Sequence, residues 1–143
     1  MRVAVQKNCD SALRFISDDS RENLQTKDCN PKNCAFLITQ SNQNYIESAK
    51  KNGFEIFIYP KDLIKYFDLN LKLVGITGTN GKTTPAAMFY SILLDFGFCV
   101  ALLGTRGFFI NGKEKRPKGL TTPSLLEIYS AISEAKSENC TYF

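Results

Sequence analysis

The sequence contains no histidine and no tryptophan. Without an imidazole, neither a Ser–His nor a Cys–His nucleophile pair can be assembled from this chain, and zinc loses its commonest nitrogen ligand. The five cysteines, Cys9, Cys29, Cys34, Cys99 and Cys140, are scattered and form no CxxC pair. That pattern reads as reduced thiols rather than a disulfide framework or a metal site. No apolar run approaches the length of a membrane span. The opening residues MRVAVQKNCD show neither the apolar core nor the small-residue cleavage site of a secretory signal. The expectation is a cytoplasmic protein with no membrane partner. A strong excess of one charge is also lacking. Eighteen Lys/Arg face fourteen Asp/Glu, for a net charge of +4. Residues 1–70 hold ten basic and nine acidic side chains, and residues 71–143 hold eight and five. That balance suits an anionic ligand in the second part and is too weak to argue for nucleic acid.

What is present is globular in character. The 143 residues are 43% hydrophobic and 22% charged. This length fits one domain, or a small domain plus a piece of another. No internal repeat or low-complexity segment occurs.

Strand and helix patterns alternate along the chain. Arg14–Ser17 and Ala35–Thr39 are short β-rich runs separated by a polar, turn-forming stretch. Tyr45, Ile46 and Ala49 share one face of a helix that Gly53 ends. Phe54–Tyr59 is a strand, and Pro60 opens a short helix through Phe67. Leu71–Thr77 is a further strand leading into Gly78-Thr79-Asn80-Gly81-Lys82-Thr83-Thr84. A helix follows, with Met88, Phe89, Ile92, Leu93 and Phe96 at helical spacing and Gly97 at its cap. Phe98–Leu103 reads as a buried strand, which completes a βαβ unit of a parallel sheet. Asn111-Gly112 is a hairpin-turn dipeptide. Ser124 and Glu127 form a capping-box pair before a helix with Leu125, Tyr129 and Ile132 inward. Cys140–Phe143 starts another strand. The expected domains are 1–70 and 71–143. The second supplies about three strands, fewer than a usual sheet of roughly five or six. The expectation is therefore a truncated domain at the N-terminal end of a longer protein.

Gly78–Thr84 carries the strongest chemical signal. Backbone N–H groups of a glycine-rich turn point at phosphate oxygens, and the following helix adds its positive end. Gly78 and Gly81 let the backbone approach an anion without a Cβ in the way. Lys82 is placed to reach the β- and γ-phosphates of ATP, and the Thr83 hydroxyl to ligate Mg²⁺. The strict GxxxxGK[ST] spacing would put glycine at position 76, where the chain has Ile76. Pro85 costs little, because a first-turn N–H has no partner within the helix.

Other features read more plainly. Asp18 and Asp19 point in divergent directions and suit a turn better than an acid–base pair. The run Lys113–Lys118 reads as a solvated loop tip, with steering of a diphosphate as the alternative. Arg106, between Gly104 and Gly107, either approaches substrate or plays a structural role. Phe108, Phe109 and Ile110 read as a half-buried strand.

Val74–Thr84 (VGITGTNGKTT) resembles the ATP-binding loop of the Mur ligases, which build the peptide of bacterial peptidoglycan. Asp19-Ser20-Arg21 resembles the segment of their N-terminal domain that contacts the uridine nucleotide. Leu103-Gly104-Thr105 with Gly107 resembles a segment after the second strand of their ATPase domain. Thr121-Thr122-Pro123 resembles the segment that touches the UDP-muramoyl substrate. Together these are most similar to the tripeptide-forming branch of the family.

The resemblance implies an α/β fold: a small N-terminal UDP-binding domain at 1–70, then the first half of a P-loop-type parallel-sheet ATPase domain at 71–143. It implies an ATP-dependent ligase that joins a diamino acid, meso-diaminopimelate or lysine with the former favoured, to UDP-N-acetylmuramoyl-L-alanyl-D-glutamate through an acyl phosphate. Lys82 and Thr83 would be catalytic, with Thr83 on Mg²⁺. Gly78, Thr79, Asn80, Gly81, Lys82, Thr83 and Thr84 would hold ATP. Ser20, Arg21, Thr121 and Thr122 would contact substrate. Taken alone, Ser20-Arg21 also fits a capped turn with a solvated arginine, and Thr121-Thr122 a lead-in to the Ser124 helix. The family's glutamate and histidine metal ligands and its carbamylated lysine would lie after Phe143, so the 143 residues alone are expected to be inactive. Three alternatives stay open: a non-catalytic P-loop nucleotide-binding module, a folylpolyglutamate-synthetase-like ligase, and a P-loop kinase or dethiobiotin-synthetase-like enzyme.

Overall fold

The structure, a computed structural model, describes residues 1–6, 13–22, 24, 30–117 and 123–143. It divides the chain into two compact units, Met1–Asp68 and Leu69–Phe143.

In the first unit, runs of three or four β-formers make a four-stranded sheet. β1 (Arg2–Ala4) pairs antiparallel with β2 (Phe15–Ser17). β2 pairs parallel with β3 (Cys34–Leu37), and β3 parallel with β4 (Ile56–Ile58). The order is β1-β2-β3-β4. All four residues of β3 are buried, which is why CAFL is apolar without alternation. β1 escapes sequence patterning because only Val3 of its three residues is buried.

The β3–β4 crossover holds a 3₁₀ turn, Gln43–Tyr45, and α1 (Ile46–Lys51). Ala49 faces the core as expected, but Tyr45 is exposed, because it belongs to the tighter turn ahead of α1. Gly53 ends α1 at φ +96°. Its N–H donates to the Lys50 carbonyl at 3.0 Å, and the Phe54 N–H to the Ala49 carbonyl at 3.1 Å. This is the paired-bond cap that a left-handed residue allows. Phe36 packs against Phe54 and Phe57 with ring centroids 5.4 and 6.1 Å apart. Truncating such a buried ring costs about 3–5 kcal/mol. The segment after Pro60 is a 3₁₀ helix (Pro60–Lys65) rather than an α-helix. Its i,i+3 register aligns Asp62 with Lys65, whose ammonium donates to the carboxylate at 2.7 Å.

In the second unit, α2 (Thr83–Asp95) precedes an antiparallel meander of β5 (Ala101–Gly104), β6 (Gly107–Ile110) and β7 (Lys113–Arg116). α3 (Leu125–Ser137) follows. The expected parallel ladder is present as two bridges through one residue: Tyr142 pairs parallel with both Lys72 and Val100. The expected strand over Leu71–Thr77 is thus reduced to a short pairing. The Lys72 N–H donates to the Thr141 carbonyl at 2.9 Å and the Val74 N–H to the Phe143 carbonyl at 2.8 Å. Leu73, Val74 and Ile76 stay exposed.

Helix α2 buries only Leu93. Of the apolar residues at helical spacing, Met88, Phe89, Ile92 and Phe96 are exposed, and Leu93 alone is buried. The helix is apolar around most of its girth, and periodicity alone does not choose the covered side. Gly97 caps it at φ +81°, its N–H donating to the Leu94 carbonyl at 2.8 Å. The expected loop at 113–118 is corrected over its first four residues, which form edge strand β7. Asn111 (φ 48°) and Gly112 (φ 77°) are both left-handed, the geometry of a two-residue hairpin turn. The charges of β7 serve packing: Lys115 pairs with Glu138, and Arg116 pairs with Glu134 at 3.1 Å while its guanidinium sits 4.5 Å from the Phe108 ring centre. Among the described residues, no helix is long and apolar enough to cross a membrane.

Candidate functional site

The site is built where the 72–77 segment turns into α2. Gly78 sits at φ +149° and Gly81 at φ +75°, regions that a side chain rarely enters. A Cβ added at Gly81 would meet nothing within 4 Å, so the loop presents an open face there. Lys82 is the residue before the first turn of α2, and no side chain caps that helix. Its leading N–H groups, together with the helix's positive end, are thereby left for an anion. Pro85 falls within this first turn, where its missing N–H leaves no gap in the hydrogen-bond ladder.

The Lys82 ammonium curls back over the loop. It donates to the Gly78 carbonyl and, at 3.2 Å, to the Thr79 carbonyl. The cation is therefore held within the loop by carbonyl oxygens that a phosphate oxygen can replace. The Thr83 hydroxyl is 3.1 Å from the Thr105 hydroxyl in the β5–β6 turn. A cavity of about 260 Å³ opens beside the loop. Its polar end holds Lys82, Thr83, Thr105 and Arg106, and its apolar wall includes Leu93 and Val100. The described lining holds two basic side chains and no Asp or Glu side chain, which suits an anionic ligand. Arg106 is exposed at the tip of the β5–β6 turn, at the mouth of this cavity.

The residue types fit ATP: two glycines at positive φ, a lysine and an uncapped helix start follow one another within positions 78–83. Mg²⁺ would take the Thr83 hydroxyl as a protein ligand, the remainder of its shell coming from phosphate and water. Thr121 and Thr122 lie outside the described residues.

In the first unit, Ser20 is buried, and its carbonyl accepts from Asn52 Nδ2 at 2.7 Å. Arg21 is exposed and held by Asp19, with Nε 3.1 Å from Oδ1. The Asp19 carboxyl is pulled below its ordinary range, first by the hydrogen bond from Arg21. Asp18 turns instead to the N-terminal ammonium at 2.6 Å. The aspartates diverge, and the Glu22 N–H closes the turn on the Asp19 carbonyl at 3.3 Å.

Sequence reading missed two residues that shape these places. Thr105 lay within a quoted segment but was given no role, because its partner is 22 positions away. Asn42 is buried and ties two chain segments: its amide nitrogen donates to the Leu37 carbonyl at 2.8 Å, and its oxygen accepts from the Thr39 N–H at 2.7 Å. An isolated asparagine among polar neighbours gives no signal of this.

Comparison with known proteins finds similar chains. Residues 76–143 match the family model described as the Mur ligase middle domain. The chain is 53% identical over 131 residues to the UDP-N-acetylmuramoyl-L-alanyl-D-glutamate–2,6-diaminopimelate ligase of Wolinella succinogenes, covering 92% of this chain and 29% of that protein. It is 48% identical over 132 residues to the ligase of the same name from Helicobacter pylori, covering 92% and 28%. A solved structure of a ligase with this name superposes with a TM-score of 0.61 at 20% identity, over 89% of this chain and 30% of that one. The last likeness bears on fold, and it agrees with the mixed α/β architecture. The chain spans under a third of the length of these relatives.

Proposed function

The chain belongs to the Mur ligase family, and from that premise we propose that it is the nucleotide-loop portion of an ATP-dependent ligase of peptidoglycan precursor synthesis. The reaction joins meso-diaminopimelate to UDP-N-acetylmuramoyl-L-alanyl-D-glutamate in the cytoplasm. The names of the relatives support the substrates. The observation that carries the reading is the cradle at 78–84, with Lys82 folded over an uncapped helix start.

ATP with Mg²⁺ supplies the phosphoryl group that activates the substrate carboxylate, before the amine attacks it. The residues here hold and orient. Gly78–Thr84 fix the terminal phosphates by backbone N–H groups. The Lys82 ammonium exchanges the Gly78 and Thr79 carbonyls for phosphate oxygens and offsets charge on the transferring group. Thr83 would hold the metal through its hydroxyl, which Thr105 keeps in place. Ser20 and Arg21 are the proposed contacts for the uridine nucleotide, and Thr121 and Thr122 those for the muramoyl part.

The test is the reaction of a ligase carrying this segment. ATP, the UDP-muramoyl dipeptide and meso-diaminopimelate should yield ADP, phosphate and the tripeptide product, and Lys82→Ala should abolish it. Product formation undiminished in Lys82→Ala, or none in the unaltered ligase, would sink the reading.

A further inference from the structure

In the second unit, two cysteines far apart in sequence meet. Cys99 lies just before β5, and Cys140 lies just after α3. The bridge between Val100 and Tyr142 sets a parallel register that brings Cys99 alongside Thr141, whose N–H donates to the Cys99 carbonyl at 2.8 Å. The Cys99 and Cys140 sulfur atoms are 3.1 Å apart. Both are free thiols.

The surroundings give the two sulfurs different characters. Cys140 is buried, and its position is fixed by its N–H, which donates to the Ala135 carbonyl at 2.9 Å. Cys99 is half-exposed, and its sulfur accepts from Asn111 Nδ2 at 3.0 Å. The Asn111 oxygen also accepts from the Val100 N–H at 3.0 Å, so this donor is held in place beside the sulfur. The Cys99 thiol also donates to the Glu138 carbonyl at 3.4 Å, and its access to solvent lets it react first. One thiol is thus ready to attack, and the other waits behind it to resolve.

We propose that Cys99 and Cys140 are a reversible thiol–disulfide pair, oxidised by a low-molecular-weight disulfide. The Cys99 thiolate attacks one sulfur of that disulfide, and a mixed disulfide forms as one small thiolate leaves. Cys140 then attacks the Cys99 sulfur, its proton passing to the second small thiolate as that group is expelled. The protein loses two hydrogens, and the small disulfide is reduced to two thiols. The new bond staples the start of the 99–104 segment to the start of the 141–143 segment. Those segments run parallel with 72–77, so the staple closes the end of the ladder opposite the phosphate loop. Its effect is on stability, through a closed loop that spans α3 and the meander.

The test is native incubation of the chain with oxidised glutathione, then tryptic digestion without reduction. The expected product links peptide 83–106 to peptide 137–143 and is reversed by dithiothreitol. The unfolding temperature should rise by more than about 5 °C on oxidation, and Cys140→Ser should abolish that rise. The link itself is read on the unaltered chain, so the test does not depend on that variant folding. Glutathione retained on Cys99 with Cys140 still free, or Cys99 joined to a different cysteine, would overturn the proposal.

Discussion

The hydroxyls of Thr83 and Thr105 lie 3.1 Å apart, joining the first turn of α2 to the turn between β5 and β6. A residue of the 78–84 loop is thereby positioned by the meander, which the loop's own sequence does not encode. If Thr83 orients the metal, Thr105 acts by positioning it.

Thr105→Val keeps the shape and removes the hydroxyl. A single neutral hydrogen bond contributes about 0.5–1.5 kcal/mol, so Mg²⁺·ATP affinity should fall roughly two- to tenfold. Thr105→Ser should restore it. Titration with a fluorescent ATP analogue, with and without Mg²⁺, checks this. The loss should shrink when Mg²⁺ is withheld, and an equal loss in both conditions would assign Thr105 a purely structural role.

Helix α3 begins on a side-chain cap. The Glu127 N–H donates to Ser124 Oγ at 3.2 Å, with Ser124 in an extended conformation. Ser124→Ala should destabilise the second unit by about 1 kcal/mol. In a unit of this size that lowers the unfolding temperature by about 4–8 °C, measurable by circular dichroism.

Alkaline pH should weaken the second unit. Burial, and next the hydrogen bond to Cys99, push the Cys140 thiol from its ordinary value of 9.0 up to about 12. The folded state then keeps a proton that the unfolded chain releases. Stability is complete below about pH 9 and falls as pH climbs toward 12. Burial also raises Tyr90 and Tyr129, which adds to the decline at its upper end. Urea midpoints in reducing buffer should drop between about pH 8.5 and about pH 10. Cys140→Ser should flatten that drop, and a drop of equal size in the variant would refute the assignment.

The parts legible in the sequence were those encoded locally. The helix over 83–95 and its Gly97 stop, the Ser124 start and the Asn111-Gly112 turn are each set by a few adjacent residues. Asn139, which ends α3 at φ 60°, passed unnoticed because asparagine signals a left-handed cap less plainly than glycine. What was not legible depended on distant partners. Leu71–Thr77 has strand character, yet its pairing is limited to Lys72 and Val74 against the 141–143 segment. Met88, Ile92 and Phe96 belong to a helix with apolar side chains on two faces, and packing against β5 covers only the Leu93 side. The cysteines looked scattered at 99 and 140 because only the parallel register brings them together. The glycine turn at 78–84 was legible because its left-handed positions, Gly78 and Gly81, are set within seven consecutive residues.

The most direct test of the account is thermal unfolding of the chain with saturating Mg²⁺·ATP, for the unaltered protein and for Lys82→Ala. At about a hundred times the dissociation constant a ligand adds roughly 2.7 kcal/mol, so the unaltered chain should gain several degrees and Lys82→Ala none. An equal gain in both would show that the nucleotide sits somewhere other than the loop at 78–84.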